Sequence, residues 1–97
     1  MQFEWDAIKE KENLRKHGIS FAAAVECFFD ANGFALSDRL HSTAEKRYYW
    51  VGKNRTGRVL TTRYTKRGTA IRIIGVAEWR KFREMYHERT KPEEPED

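Results

Sequence analysis

The spacing of apolar and polar positions divides the chain into a helical first third and a strand-rich remainder. Asp6 is placed to cap a helix running to about Lys16, with Lys9, Glu10 and Glu12 on an exposed face and Gly18 positioned to end it. Ser20 offers a second N-cap, and Phe21, Ala24, Val25 and Phe28 then recur at the helical period before the turn-forming run Asp30, Ala31, Asn32, Gly33. From residue 34 aromatic and β-branched residues take over, predicting strands over 34–37, 47–53, 58–64 and 70–75. The links at 54–57 and 65–69 are short and contain glycine, so the last three strands should form an antiparallel meander. Beyond Gly75, Trp79, Phe82 and Tyr86 return to helical spacing, with Arg80, Arg83 and His87 on a different stripe. The order predicts an α+β fold of two N-terminal helices, a four-stranded, mainly antiparallel sheet and a C-terminal helix, with the helices on one face of the sheet.

Composition adds limits to this picture. With 97 residues, 39% of them apolar and 13% aromatic, the chain supports one modest core. Residues 1–90 read as one domain and residues 91–97 as a disordered acidic tail, since the tail holds two prolines and no apolar side chain. The net charge is +4, and the tail, with one lysine against four acids, contributes −3, so residues 1–90 carry +7 and favour an anionic partner. A single cysteine, Cys27, excludes an internal disulfide and reads as a small buried hydrophobe. The three histidines show no zinc spacing, and P-loop, Gly-x-Ser-x-Gly and Cys-x-x-Cys motifs are missing, so neither a metal nor another cofactor is expected. The longest apolar stretch, residues 21–29, is interrupted by Glu26 and too short to span a bilayer, so a cytoplasmic protein without membrane contact is expected.

Arg63 and Arg72 fall in mid-strand, where an arginine needs a partner. Each could pair with Asp38 or Glu45 or reach out to water. Taken together with Arg47, Lys53, Arg58, Lys66, Arg67 and Arg80, they are better explained by a phosphate-binding surface. Interleaved aromatics, namely Tyr48, Tyr49, Trp50, Tyr64, Trp79 and Tyr86, offer rings for stacking, although alternation turns about half of them inward. Metal-free RNA cleavage needs a base for the 2′-hydroxyl, cations for the phosphorane and an acid for the leaving oxygen. Glu45, Arg47, Arg63, Arg72, His17, His41 and Tyr86 supply those chemical types, but composition does not assemble them.

Several segments together resemble the BrnT family of bacterial toxins: Phe3, Glu4, Trp5 and Asp6; Lys9 and Asn13; Lys16 through Phe21; Asp38 and Arg39; His41 and Ser42; Glu45, Lys46 and Arg47; Arg58, Val59 and Leu60; Tyr64, Thr65 and Arg67; and Ile71, Arg72, Ile73 and Ile74. The resemblance covers about residues 3–87. It implies a RelE-like fold, ribonuclease activity that inhibits translation, and neutralisation by a BrnA-type antitoxin that also binds operator DNA. After Ile74 the chain departs from the pattern: the segment from Gly75 to Lys81 stands where a Ser-Ala-Arg segment is usual, removing one expected arginine, with Arg80 a candidate replacement one turn later.

These lines give a set of expected site residues. Arg47, Arg63 and Arg72 bind phosphate, Glu45 is the candidate base, and Tyr86 or a histidine is the candidate acid. Lys16, His17, Arg39, His41, Arg67 and Arg80 are expected to hold RNA. Two alternatives remain at this stage, a nucleic-acid-binding module without activity and a protein whose basic face only docks an antitoxin.

Overall fold

In the computed structural model, residues 1–92 are described, so most of the tail expected at 91–97 lies outside the described residues. The chain begins with a short strand, β1 (Gln2–Trp5), followed by α1 (Ala7–His17), α2 (Phe21–Cys27), β2 (Phe34–Ser37), β3 (Arg47–Lys53), β4 (Val59–Arg67), β5 (Ala70–Ala77) and α3 (Arg80–Thr90). Helix boundaries follow local chemistry. The Asp6 carboxylate accepts from the Ile8 and Lys9 amides, Ser20 Oγ accepts from the Ala23 amide, and Gly18 closes α1 at φ 67°, a left-handed conformation suited to glycine.

The strands form one five-stranded sheet in the order β1-β5-β4-β3-β2. The expected meander of β3, β4 and β5 is present and β2 adds antiparallel to β3, but β1 pairs parallel with β5, Gln2 facing Ala70 and Trp5 facing Ile73. The four-stranded expectation is therefore corrected to a five-stranded mixed sheet. Residues 2–5, to which the sequence reading assigned no element, form a strand whose Phe3 and Trp5 join the core while Glu4, between them, faces the other way.

The helices occupy both faces of the sheet, a second correction. Helix α2 seals one face through Phe21, Ala24 and Cys27, which pack on Leu60, Ile73 and Val76 with Trp5, Trp50 and Ile71 around them. Phe28, just past the helix, stacks on Trp50 with ring centroids 5.2 Å apart and meets Tyr64 edge-on. On the opposite face α3 lays Phe82, Met85 and Tyr86 over Phe34, Leu36, Val51 and Val59. Adjacent Val59 and Leu60 are both buried because successive side chains of β4 point into different cores.

Strand β5 changes parity once. Arg63 faces Gly75 and Tyr64 faces Ile73, so Ile74 is an extra residue opposite β4. The irregularity lets Ile73 and Val76, three positions apart, serve the same core. Since β1 covers only the first half of β5, the other half would offer an open edge. Asn13 of α1 closes part of it: its side-chain amide donates to the Val76 and Ile19 carbonyls and accepts from the Val76 amide. A buried side-chain amide thus performs the pairing of a missing strand residue.

Candidate active site

The face shared with α3 is apolar at one end and cationic at the other. Cross-strand register sets residues side by side there: Arg47 on β3, Thr65 on β4, Arg72 on β5 and Glu4 on β1 form one row, and Leu36, Tyr49, Arg63 and Gly75 form the next. The apolar contacts of α3 run from Leu36 and Tyr49 in the second row to Phe34, Val51 and Val59 beyond it, and Arg47, Arg63 and Arg72 remain partly exposed. Arg47 and Arg72 stand two strands apart, roughly 10 Å at the backbone, and the hydroxyl of buried Thr65 between them donates to the Lys46 carbonyl at 2.7 Å. The Nε atoms of Arg47 and Arg63 are buried and donate no hydrogen bond within the protein. The partly exposed guanidinium groups of Arg47, Arg63 and Arg72 give this floor the chemistry to hold an oxyanion.

Each arginine is held loosely enough to serve a ligand. Arg63 Nε lies 3.4 Å from Asp38, and its guanidinium sits 5.7 Å from the Tyr49 ring centroid and 6.0 Å from that of Trp79. Arg72 pairs with Glu4 at 3.8 Å, and Arg67 with Glu45 at 3.7 Å. These long contacts on half-open side chains steer the arginines without saturating them.

Asp38 organises the rim of this floor. It is 3% exposed, and its two carboxylate oxygens lie 3.0 and 2.9 Å from His41 Nδ1, leaving the rest of the exposed imidazole ring toward solvent. Burial pushes the Asp38 carboxyl up, but the His41 hydrogen bond and charge, the Tyr49 hydroxyl and the Arg63 guanidinium outweigh it and hold the group below the ordinary carboxylate range. Ser42 ties the same loop down, its hydroxyl donating to the Asp38 carbonyl at 2.6 Å and accepting from the Arg47 amide at 2.9 Å. A carboxylate that fixes one ring nitrogen of a histidine leaves the other oriented for proton transfer.

The expected residues therefore separate into groups. Arg47, Arg63 and Arg72 share one sheet face, and Arg67 and Glu45 form an ion pair at its margin. Arg39 and His41 belong to the loop that follows Asp38. Lys16 and His17, at the end of α1, line a separate cleft that reaches Arg63. Tyr86 is not brought to the arginines: it is 2% exposed within the α3 core, and its hydroxyl donates to Asp30 at 2.6 Å. Burial, then the Asp30 carboxylate, pushes its pKa up to about 12, which keeps it a structural donor rather than a proton source at neutral pH. Arg80 also stands apart, 83% exposed and paired with Glu84 one turn on, so it does not occupy the floor as a replacement arginine. Sequence reasoning had treated Asp38 as an ion-pair partner and as part of the family resemblance, without a place among the site residues. The signal available was an aspartate three residues before a histidine in a loop entering an arginine-bearing strand.

The fold and site together define a small basic α+β domain that presents an arginine floor on an open part of a mixed sheet. The chain belongs to the BrnT family, ribonuclease toxins of type II toxin-antitoxin systems, whose family model matches residues 5–82. Its fold is similar to that of the Brucella abortus ribonuclease toxin BrnT, known from a 1.1 Å crystal structure, with a TM-score of 0.63 at 20% identity over 81% of this chain and 96% of that one. No curated protein sequence matches it. Membership of a type II system implies an antitoxin partner.

Proposed function

We propose that this protein is a toxin that cleaves RNA without a metal and inhibits translation, and that a BrnA-type antitoxin, the component that contacts operator DNA, neutralises it in the cytoplasm. The observation that carries this reading is the pair of adjacent rows placing Arg47, Arg63 and Arg72 on the open part of one sheet face. Cations, not clustered carboxylates, dominate that floor, and among the described residues no group of three His, Cys, Asp or Glu side chains converges.

In the proposed reaction a base removes the proton of a ribose 2′-hydroxyl and O2′ attacks the adjacent phosphorus. The bond from phosphorus to O5′ breaks, and O5′ takes a proton from the acid, leaving a 2′,3′-cyclic phosphate and a 5′-hydroxyl. The three arginines stabilise the charge on the non-bridging oxygens. Glu45, steered by Arg67, is the base, and His41, oriented by Asp38, is the acid. Arg39 and Arg67 hold the strand to either side.

The test is cleavage of single-stranded RNA by purified protein in excess chelator. Cleavage that persists, with cyclic-phosphate ends, supports the mechanism. Arg63→Ala and Arg72→Ala should each lower the rate by roughly 100-fold or more with the fold intact, and unchanged rates would remove those residues from the site. The exposed, Glu84-paired position of Arg80 favours a second reading, RNA binding without cleavage; salt-dependent binding with intact RNA after long incubation would select it.

A further inference from the structure

Beside the arginine floor lies a cleft of about 270 Å³ between the end of α1, the irregular part of β5 and Trp79. We propose that it receives a single unpaired nucleobase adjacent to the phosphate that the floor binds, an inference that rests on the ribonuclease reading. Arg63 lines both features, so a strand whose phosphate sits over Arg63 brings a neighbouring base to the mouth of this cleft.

The walls suit a flat polar ring. Trp79 remains 36% exposed although it is large and apolar, and Tyr49 and Phe82 pin it at centroid separations of 5.5 and 5.8 Å. An immobilised, partly open indole is a stacking surface that every base can use. On α1, Lys9, Lys16 and His17 line the same cleft with cationic donors and Glu12 with an acceptor for the base edge or flanking phosphate. Asn13 takes no part, because its amide is already committed to Ile19 and Val76.

Gly75 provides the room. Its φ is not in the left-handed region, and a Cβ built there would meet only Asn13 Oδ1, at 3.6 Å, so neither backbone conformation nor crowding demands glycine. What the missing side chain does is keep the floor of the cleft open next to Arg63. A base already paired and stacked in a duplex cannot enter such a recess, so the ligand class is single-stranded RNA.

The experiment measures affinity of the full chain for uncleavable, fully 2′-O-methylated single-stranded oligonucleotides and for the matching duplex. Trp79→Ala should weaken single-strand binding roughly tenfold, Trp79→Phe should restore it to within about twofold of the wild type, and the duplex should compete poorly. Gly75→Ala, which leaves the tryptophan packing untouched, should weaken binding several-fold, so a misfolded Trp79→Ala would not decide the matter. If Gly75→Ala and Trp79→Ala bind as well as the wild type while Arg63→Ala does not, the cleft is no base site although the floor still binds RNA. If the two cleft variants lose antitoxin and keep RNA, the cleft is a protein-docking surface and the inference falls. A wild-type chain that neither binds nor cuts RNA would overturn the ribonuclease reading itself.

Discussion

Replacing Tyr86 with phenylalanine separates structure from chemistry at a position whose residue type suggested a catalytic acid. The substitution keeps the ring that packs with Phe34, Val51 and Val59 and deletes only the hydroxyl that donates to Asp30 at 2.6 Å. A hydrogen bond to a charged group contributes about 1.5–3 kcal/mol. Asp30 keeps the Lys53 and Asn32 amides as donors, at 2.8 and 3.0 Å, and is partly open to water, so the lower end applies. A loss of about 1.5 kcal/mol in a domain of this size should lower Tm by roughly 6–12 °C. The pH dependence supplies a signature. The Tyr86 pKa is raised from 10.0 to about 12 by burial and by Asp30, so its contribution is complete below pH 10 and is lost as pH rises toward 12. The stability gap between wild type and Tyr86→Phe, measured by urea unfolding, should therefore shrink across that window, while RNA cleavage at pH 7 stays within about twofold because the hydroxyl lies apart from the arginines. A variant with unchanged Tm and abolished cleavage would refute this reasoning and return Tyr86 to the chemistry.

Further outcomes follow from other buried groups. Asp38→Asn removes a carboxylate whose pKa is depressed, so the wild-type advantage should be present above pH 4 and fade as pH falls below it, as followed by acid unfolding; cleavage should drop as His41 loses its orienting partner. Gly52→Ala should destabilise the fold by about 1–3 kcal/mol, read from chemical denaturation, because its Cβ would lie 2.5 Å from the Cys27 carbonyl oxygen and 2.8 Å from Trp50 Nε1. Cys27 is fully buried, and burial, with Glu26 and Asp30, pushes its thiol up to about 12. Iodoacetamide at pH 8 should leave it unmodified until denaturant is added.

Much of the fold was legible where local chemistry decides it. The caps Asp6, Gly18 and Ser20 bound their helices as expected, and the β3 span follows from its run of aromatic and β-branched residues. Strand β1 was missed because four residues with a parallel partner nearly seventy positions away carry no turn signal, although Phe3 and Trp5 alternating with Glu4 was the readable trace. The placement of helices on both faces was written in the adjacent buried pair Val59 and Leu60, which a one-sided sheet would not tolerate. At the site, Arg63 and Arg72 in mid-strand were the readable sign that one sheet face carries cations, because an arginine there needs a partner or an outlet to water. The separation of Tyr86 from them was not legible, since only the three-dimensional run of α3 decides which end of the sheet face its ring covers.

The parallel pairing of β1 with β5 also sets a timetable. Strand β1 is made before the other described strands, yet as an edge it must wait for β5 before it can dock, and non-local pairing of this kind is closed late in folding. Arg72, the Glu4 that steers it and the cleft around Gly75 all depend on that closing step. A nascent chain halted before β5 has therefore made Arg47 and Arg63 but neither Arg72 nor the cleft, so the surface proposed to bind RNA is complete only once β5 has been made and has paired with β1.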